Sequence, residues 1–219
     1  LLLSDLLNSV CDNIQGLIIG RRFTAGDMGY YAQAKKLAEI PTESISQVVS
    51  LVSFPVFAKL QDDQSKLRAA VQKSLTLMNF INFPLMLLLI VVAEPLLTLL
   101  YSAKWTESIP YFQILCLSGI VNCMQVVCAV GKSKTIFRWN IIKRTVGIGL
   151  ILIGMYWGIT GILWGMVAGF YFTAIVNAIV ATKTTGYTLP RQVLDAAPAL
   201  LIALMAAIGT AVVGRFLFL

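Results

Sequence analysis

The sequence predicts an all-α integral membrane protein, and three observations carry that expectation. Residues 145–182 hold no charged side chain. At 1.5 Å of rise per residue a single helix of that length would reach about 57 Å, nearly twice the roughly 30 Å hydrocarbon core of a bilayer. The run is therefore expected to make two crossings, folded at Gly158-Ile159-Thr160-Gly161. Composition agrees, with 58% hydrophobic residues, 12% charged residues and a mean hydropathy of +0.83, too apolar for a soluble domain. Apolar residues also come in long blocks rather than alternating with period two, which favours helices over barrel strands in lipid.

Seven spans follow in order, at about residues 1–20, 38–58, 74–100, 108–130, 142–157, 161–182 and 196–214. Residues 74–93, 108–131 and 196–214 are charge-free and each long enough to cross once. The first two spans are less pure: one carries Asp5 and Asp12, the other Glu39, Glu43 and several serines. Leu1 already lies in an apolar block, with no initiator Met or charged leader before it, and an odd span count puts the two ends on opposite faces. Both features suit one bundle, residues 1–219, cut from a larger protein.

Seventeen Lys and Arg set the orientation. Eleven, including Lys59, Lys66, Arg68, Lys73, Lys143 and Arg144, fall on one set of alternate connections; Arg21, Arg22, Lys35, Lys36, Lys104 and Arg215 fall on the other. The richer face is expected to be cytoplasmic. Topology and anionic lipid thus account for the net charge of +7 without nucleic acid.

Polar residues inside the spans carry the functional signal. Ser4, Asn8 and Asp12 recur at i, i+4, with Asp5, Ser9 and Asn13 beside them and Gln15 just beyond; Glu39, Glu43, Gln47 and Ser50 repeat the pattern in the second span, with Ser46 and Ser53 adjoining. A helix turns once in 3.6 residues, so each set forms a stripe and leaves a lipid face opposite. An ionised Asp at mid-membrane costs about 2.5–3.5 kcal/mol on insertion scales, which places Asp12 against water or a partner. Two wet stripes on neighbouring helices imply a shared hydrated cavity. Arg21, Arg22, Lys35 and Lys36 are expected around the connection of these helices, where they could attract an anionic group or simply snorkel to the interface. Isolated Asn79, Asn82, Asn122, Gln125 and Asn177 read as interhelical hydrogen-bonding residues.

Gly161, Gly165 and Gly169 recur every fourth residue and form a smooth face for close helix packing. Pro41, Pro55, Pro84 and Pro95 are expected to kink or break the second and third spans. The chain has no His, so His-based metal sites and Ser/His/Asp constellations cannot be built from it, and no paired-carboxylate spacing stands out. Gly131-Lys132-Ser133 lacks the earlier glycine of a phosphate-binding loop, since Val126 stands there. Cys11, Cys116, Cys123 and Cys128 form no Cys-x-x-Cys pair and read as small apolar fillers.

The run Asp12-Asn13-Ile14-Gln15-Gly16-Leu17-Ile18-Ile19-Gly20-Arg21, followed by Gly29-Tyr30-Tyr31-Ala32-Gln33-Ala34 and Pro41, resembles the start of the second half of bacterial oligosaccharide flippases. Phe54-Pro55-Val56-Phe57-Ala58-Lys59-Leu60-Gln61-Asp62-Asp63, then Phe83-Pro84 and Lys104-Trp105 before Pro110, are similar to the same polysaccharide-transport family. That family lies within the multidrug/oligosaccharidyl-lipid/polysaccharide exporter superfamily. After about Gly131 the likeness rests on hydropathy and a basic loop. The resemblance implies two pseudo-symmetric bundles around a central cavity, of which this chain would be the second, without its N-terminal partner.

It also implies a flippase of the bacterial inner membrane that carries undecaprenyl-diphosphate-linked oligosaccharide outward by alternating access, for O-antigen, capsule or exopolysaccharide assembly. Implied partners are the lipid-linked oligosaccharide, membrane lipids, the other half of the transporter, and polysaccharide polymerase and chain-length machinery. Neither enzymatic activity nor a cofactor is expected; a coupling proton or sodium ion, through Asp12 or Glu43, is left open. Asn8, Asp12, Asn13, Gln15, Glu43, Gln47 and Ser50 would border the cavity, with Arg21, Arg22, Lys35 and Lys36 as diphosphate or sugar-acid contacts. Many members of the family carry Asp where this chain has Gln15, so a carboxylate role does not carry over there; Asp12, one turn earlier, is the candidate substitute. Other readings are a drug or peptidoglycan-precursor exporter of the same superfamily and, in a different class, an intramembrane glycosyl polymerase or ligase. The last would need a large outer loop, and the outer loops here are short. A non-transporting membrane scaffold would have no need of paired polar stripes.

Overall fold

The computed structural model describes residues 16, 19–60, 62–122 and 133–217, without the side chains of 122, 133–138 and 215–217. Helix α1 (Ala25–Lys59) is followed by α2 (Gln64–Val91), a short α3 (Ala93–Tyr101), a 3-10 turn (Ala103–Trp105), α4 (Ser108–Asn122), α5 (Ser133–Gly154), a second 3-10 turn (Met155–Trp157), α6 (Gly158–Thr185) and α7 (Leu189–Leu217). No strand occurs among the described residues. Gln64–Val91, Trp139–Thr185 and Leu189–Gly214 are long and apolar enough to cross a bilayer, and the second of these contains the α5–α6 reversal.

Several helices outrun the hydropathy blocks that announced them. α1 begins 13 residues before the expected span at 38–58, so its 35 residues rise about 52 Å. Thr24 sets that start: its hydroxyl accepts from the Asp27 N–H while the Asp27 carboxylate accepts from the Thr24 N–H, a reciprocal capping box. Asp63 caps α2 in one direction only, accepting from the Ser65 hydroxyl and from the Ser65 and Lys66 N–H groups. Those bonds, the Ser65 hydroxyl first and the Lys66 N–H next, hold its carboxyl well below the usual carboxylate range. The cap is thus complete above about pH 4 and is lost only in strong acid.

α1 continues through Pro41 and Pro55, and α2 through Pro84. The break falls instead at Val92, and Pro95 sits in the first turn of α3, where a missing N–H is tolerated. The turn expected at residues 158–161 lies three residues earlier. Met155–Trp157 makes it, Gly158 adopts φ 77°, and Ile159 to Gly161 are already helical. α5 likewise starts nine residues before the expected 142, which draws Lys134 and Arg138 from a loop into a helix.

Packing then assembles the bundle. Gly161 and Gly165 on α6 face the backbone of α5: a methyl group added at Gly161 would collide with the Gly154 carbonyl, and one at Gly165 would lie 2.6 Å from the Leu150 carbonyl oxygen. The glycine face is the close-packing surface its spacing suggested. α4 stands centrally against α1, α2 and α6, while α7 rests mainly on α2 through Phe83, Ala199 and Ala203. Asn82, fully buried on α2, donates to the Gly119 carbonyl of α4 at 2.8 Å, and Cys116 is a buried free thiol in the core. Leu201, Met205 and Ile208 on α7 are 61–66% exposed, as a lipid-facing surface would be.

Two core clusters show which connections share an end. Phe57, Leu67 and Val71 meet Ala181 and Tyr187, so the basic 59–73 segment and the 186–188 turn lie together. Ile19, Ala93, Leu97 and Ile159 meet at the opposite end. By the positive-inside rule the first is the cytoplasmic end. There Asp195 ties three elements: Gln72 of α2 donates to Asp195 Oδ2 at 2.7 Å, and the hydroxyl of Tyr187, 1% exposed, donates to the same oxygen at 2.5 Å.

Burial first, then the bond to Asp195, raises the Tyr187 hydroxyl above its ordinary range, so the donor is in place at neutral pH. Its contribution is full below about pH 10 and fades only as pH rises above that value. Tyr187→Phe is expected to destabilise the protein by about 1–2 kcal/mol, read as a lower melting temperature in detergent, while Tyr187→Trp, which keeps a donor at the wrong reach, should not restore it.

Candidate functional site

Two contacts place α1 against the membrane. Near its start, Tyr30 packs edge-on against Trp105 at 5.5 Å between ring centres, and Tyr101 adds a tilted contact at 5.7 Å. Such aromatics sit at the lipid–water boundary. Near the other end, the Ser53 and Ser74 hydroxyls hydrogen-bond at 3.1 Å, and Ser74 opens the charge-free part of α2. The 23 residues from Tyr30 to Ser53 rise about 35 Å, close to the thickness of a bilayer core. The polar residues between these two contacts are the candidates for a path at membrane depth.

That interval holds Lys35, Glu39, Thr42, Glu43, Ser46, Gln47 and Ser50. Glu39, Glu43, Gln47 and Ser50 all lie within α1, where their spacing puts them on one helical face. Thr42 and Ser44 turn back onto their own helix, Thr42 to the Ala38 and Glu39 carbonyls at 3.0 Å and Ser44 to the Ile40 carbonyl at 2.7 Å. Glu43 and Gln47 are exposed. Ser46, Gln47 and Ser50 line an open groove of about 580 Å³ with Leu51, Phe54 and Pro55. Pro55 has no N–H, so the Leu51 carbonyl lacks its helical donor and adds an acceptor to the groove. Hydroxyl, amide and carbonyl groups beside apolar walls can bind a polyhydroxylated ligand by hydrogen bonds and by contact with its C–H faces.

Higher on α1, Lys35 Nζ lies 3.7 Å from Glu39 Oε1, the two side chains 24% and 42% exposed. Both border a chamber of about 30 Å³ closed by Thr42, by Leu115, Ser118 and Gly119 of α4, and by Met166 and Phe170 of α6. The sequence grouped Lys35 and Lys36 with Arg21 and Arg22 around a connection. Instead Arg21 and Arg22 lie in the helical turn before Phe23, both exposed, while Lys35 and Lys36 lie about 16–18 Å along α1 from its cap at Thr24. They form two levels of cation. A capping box hidden in Thr24-Ala25-Gly26-Asp27 was the available signal that the helix started early.

Asn8, Asp12, Asn13 and Gln15 fall outside the described residues. Sequence reasoning missed the role of Lys143, which donates to the buried Asn177 of α6 at 2.9 Å; this puts a second lysine inside the helix bundle. No cluster of three or more His, Cys, Asp or Glu able to hold a metal occurs among the described residues.

Long apolar helices and glycine-mediated helix contacts define a multi-pass α-helical membrane protein. The chain belongs to the polysaccharide biosynthesis protein family, whose profile matches residues 1–110. It is 31% identical over 182 residues to the lipopolysaccharide biosynthesis protein WzxC of Escherichia coli K12, covering 81% of this chain and 36% of that protein. It is 29% identical over 142 residues to the teichuronic acid biosynthesis protein TuaB of Bacillus subtilis, covering 63% of this chain and 29% of TuaB. With the succinoglycan biosynthesis transport protein ExoT of Rhizobium meliloti it shares 27% identity over 181 residues, covering 80% of this chain and 35% of ExoT. The chain thus spans about a third of the length of these relatives. No solved structure matches it.

Proposed function

We propose that this chain is the second bundle of a flippase that moves undecaprenyl-diphosphate-linked oligosaccharide from the inner to the outer leaflet of the bacterial plasma membrane. The observation that carries the reading is the stripe Glu39, Glu43, Gln47 and Ser50 on one face of α1, which would lie at membrane depth between the contacts near the two ends of the helix. A glycan crossing the bilayer needs hydrogen-bonding groups along its path, since an unpaired hydroxyl in hydrocarbon costs about 4 kcal/mol or more. The relatives named for lipopolysaccharide, teichuronic acid and succinoglycan biosynthesis support a polysaccharide cargo, and the word transport in one name supports carriage rather than chemistry. Arg21 and Arg22 would meet the anionic part of the substrate at the outer end. Asp12 and Glu43 would be the groups through which a proton or sodium gradient acts.

The test is leaflet exposure of a labelled undecaprenyl-diphosphate oligosaccharide in proteoliposomes holding the complete parent protein. Flipping is expected, with at least a tenfold slower rate for Arg21→Ala/Arg22→Ala. Efflux of small organic cations without any glycan flipping would replace this reading with drug export.

A further inference from the structure

Lys35 is the cation most deeply committed to α1. It sits five residues below Tyr30, about 8 Å of rise inside the aromatic boundary, with three-quarters of its side chain covered. A charged residue at such depth requires a partner, and here the partner is Glu39. The pair is poorly made for permanence. At 3.7 Å it is long, and Lys precedes Glu by four residues, the weaker of the two helical orders because it opposes the macrodipole. The chamber they border holds about 30 Å³, room for one water and for no larger anion. Pro41 lies two residues beyond Glu39 and removes the N–H that would bond the Leu37 carbonyl, so α1 can bend at this level. Across the chamber α4 and α6 present Leu115, Ser118, Gly119, Met166 and Phe170, none of them charged, and the Tyr31 hydroxyl points to Met166 sulfur at 3.9 Å.

We infer that Glu39 is a placeholder anion: it occupies Lys35 while the junction of α1, α4 and α6 is closed, and a substrate diphosphate oxygen takes its place on Lys35 when the junction opens. This rests on the proposed carriage of a diphosphate-linked glycan. Glu39 thereby keeps the lysine at membrane depth between transport cycles and sets a threshold that only a doubly charged group overcomes. A monoanionic lipid headgroup lacks the charge to displace it.

Binding of inorganic pyrophosphate to the purified complete parent protein tests this, with competition by polyprenyl diphosphate and by phosphatidylglycerol. Glu39→Gln is expected to tighten pyrophosphate binding about tenfold, Lys35→Gln to weaken it about tenfold, and the double variant to bind as weakly as Lys35→Gln. Lys183→Gln, an exposed cation at the cytoplasmic end, should bind as the wild type does. Polyprenyl diphosphate should compete and phosphatidylglycerol should not. Unchanged or weaker binding by Glu39→Gln overturns the inference, as does equal competition by phosphatidylglycerol. Should Glu39→Gln fail to accumulate, Glu39→Ser removes the same carboxylate and is read by the same criterion. A parent that flips glycan while Glu39→Gln binds no more tightly defeats the placeholder alone; a parent that flips nothing defeats the transport reading, and the binding series still decides the exchange.

Discussion

Gly161→Leu in the complete parent protein is expected to destabilise the bundle by about 3 kcal/mol or more, with the melting temperature in detergent falling and little protein reaching the membrane. Overpacking normally forces side chains aside at about 1–3 kcal/mol, but here the obstacle is the backbone of Gly154, which cannot rotate away. Gly165→Leu should behave similarly against the Leu150 carbonyl. Gly209→Leu is the matched control: its added carbon meets nothing within 4 Å on the exposed face of α7, and its effect should stay within about 0.5 kcal/mol. Equal stability of the Gly161 and Gly209 variants would show that α5 and α6 do not pack through their glycines. The consequence reaches the site, because α6 also carries Met166 and Phe170, which close the Lys35–Glu39 chamber.

Glu43→Leu/Gln47→Leu should act in the opposite sense on stability. Both side chains are exposed, and in the proposed path a charged residue at a helix centre costs about 2.5–3.5 kcal/mol on insertion scales, so the double variant should be as stable as the wild type or more so. Glycan flipping should nonetheless fall at least tenfold, since the apolar stripe no longer offers partners to hydroxyl groups. The pairing of a retained melting temperature with lost flipping separates a translocation surface from interhelical bonding, for which the two would fall together. Undiminished flipping would remove α1 from the substrate path.

The candidate site was partly legible because stripes and ridges are periodic. Glu39, Glu43, Gln47 and Ser50 follow the helical repeat whether or not neighbours are known, and Gly161, Gly165 and Gly169 do likewise. The pairing of Lys35 with Glu39 was also within reach, being an i, i+4 spacing. It was obscured because two adjacent lysines, Lys35 and Lys36, read as the flank of a span and not as its interior.

Hydropathy is a sum of local transfer free energies, and it determined by itself that this chain lives in a bilayer as helices and roughly where those helices cross. Helix periodicity likewise determined that α1 has a polar face and α6 a glycine face. Tertiary structure alone decided what covers those faces. Leu115, Ser118, Met166 and Phe170 close on Lys35 and Glu39 from positions 76 or more residues away in sequence from this pair. Lys143 enters the bundle because Asn177 stands opposite, and Asp195 joins α7 to α2 because Gln72 and Tyr187 converge on one oxygen. A charged side chain is tolerated at membrane depth only where another part of the chain supplies its partner, and that supply is set by how the helices pack.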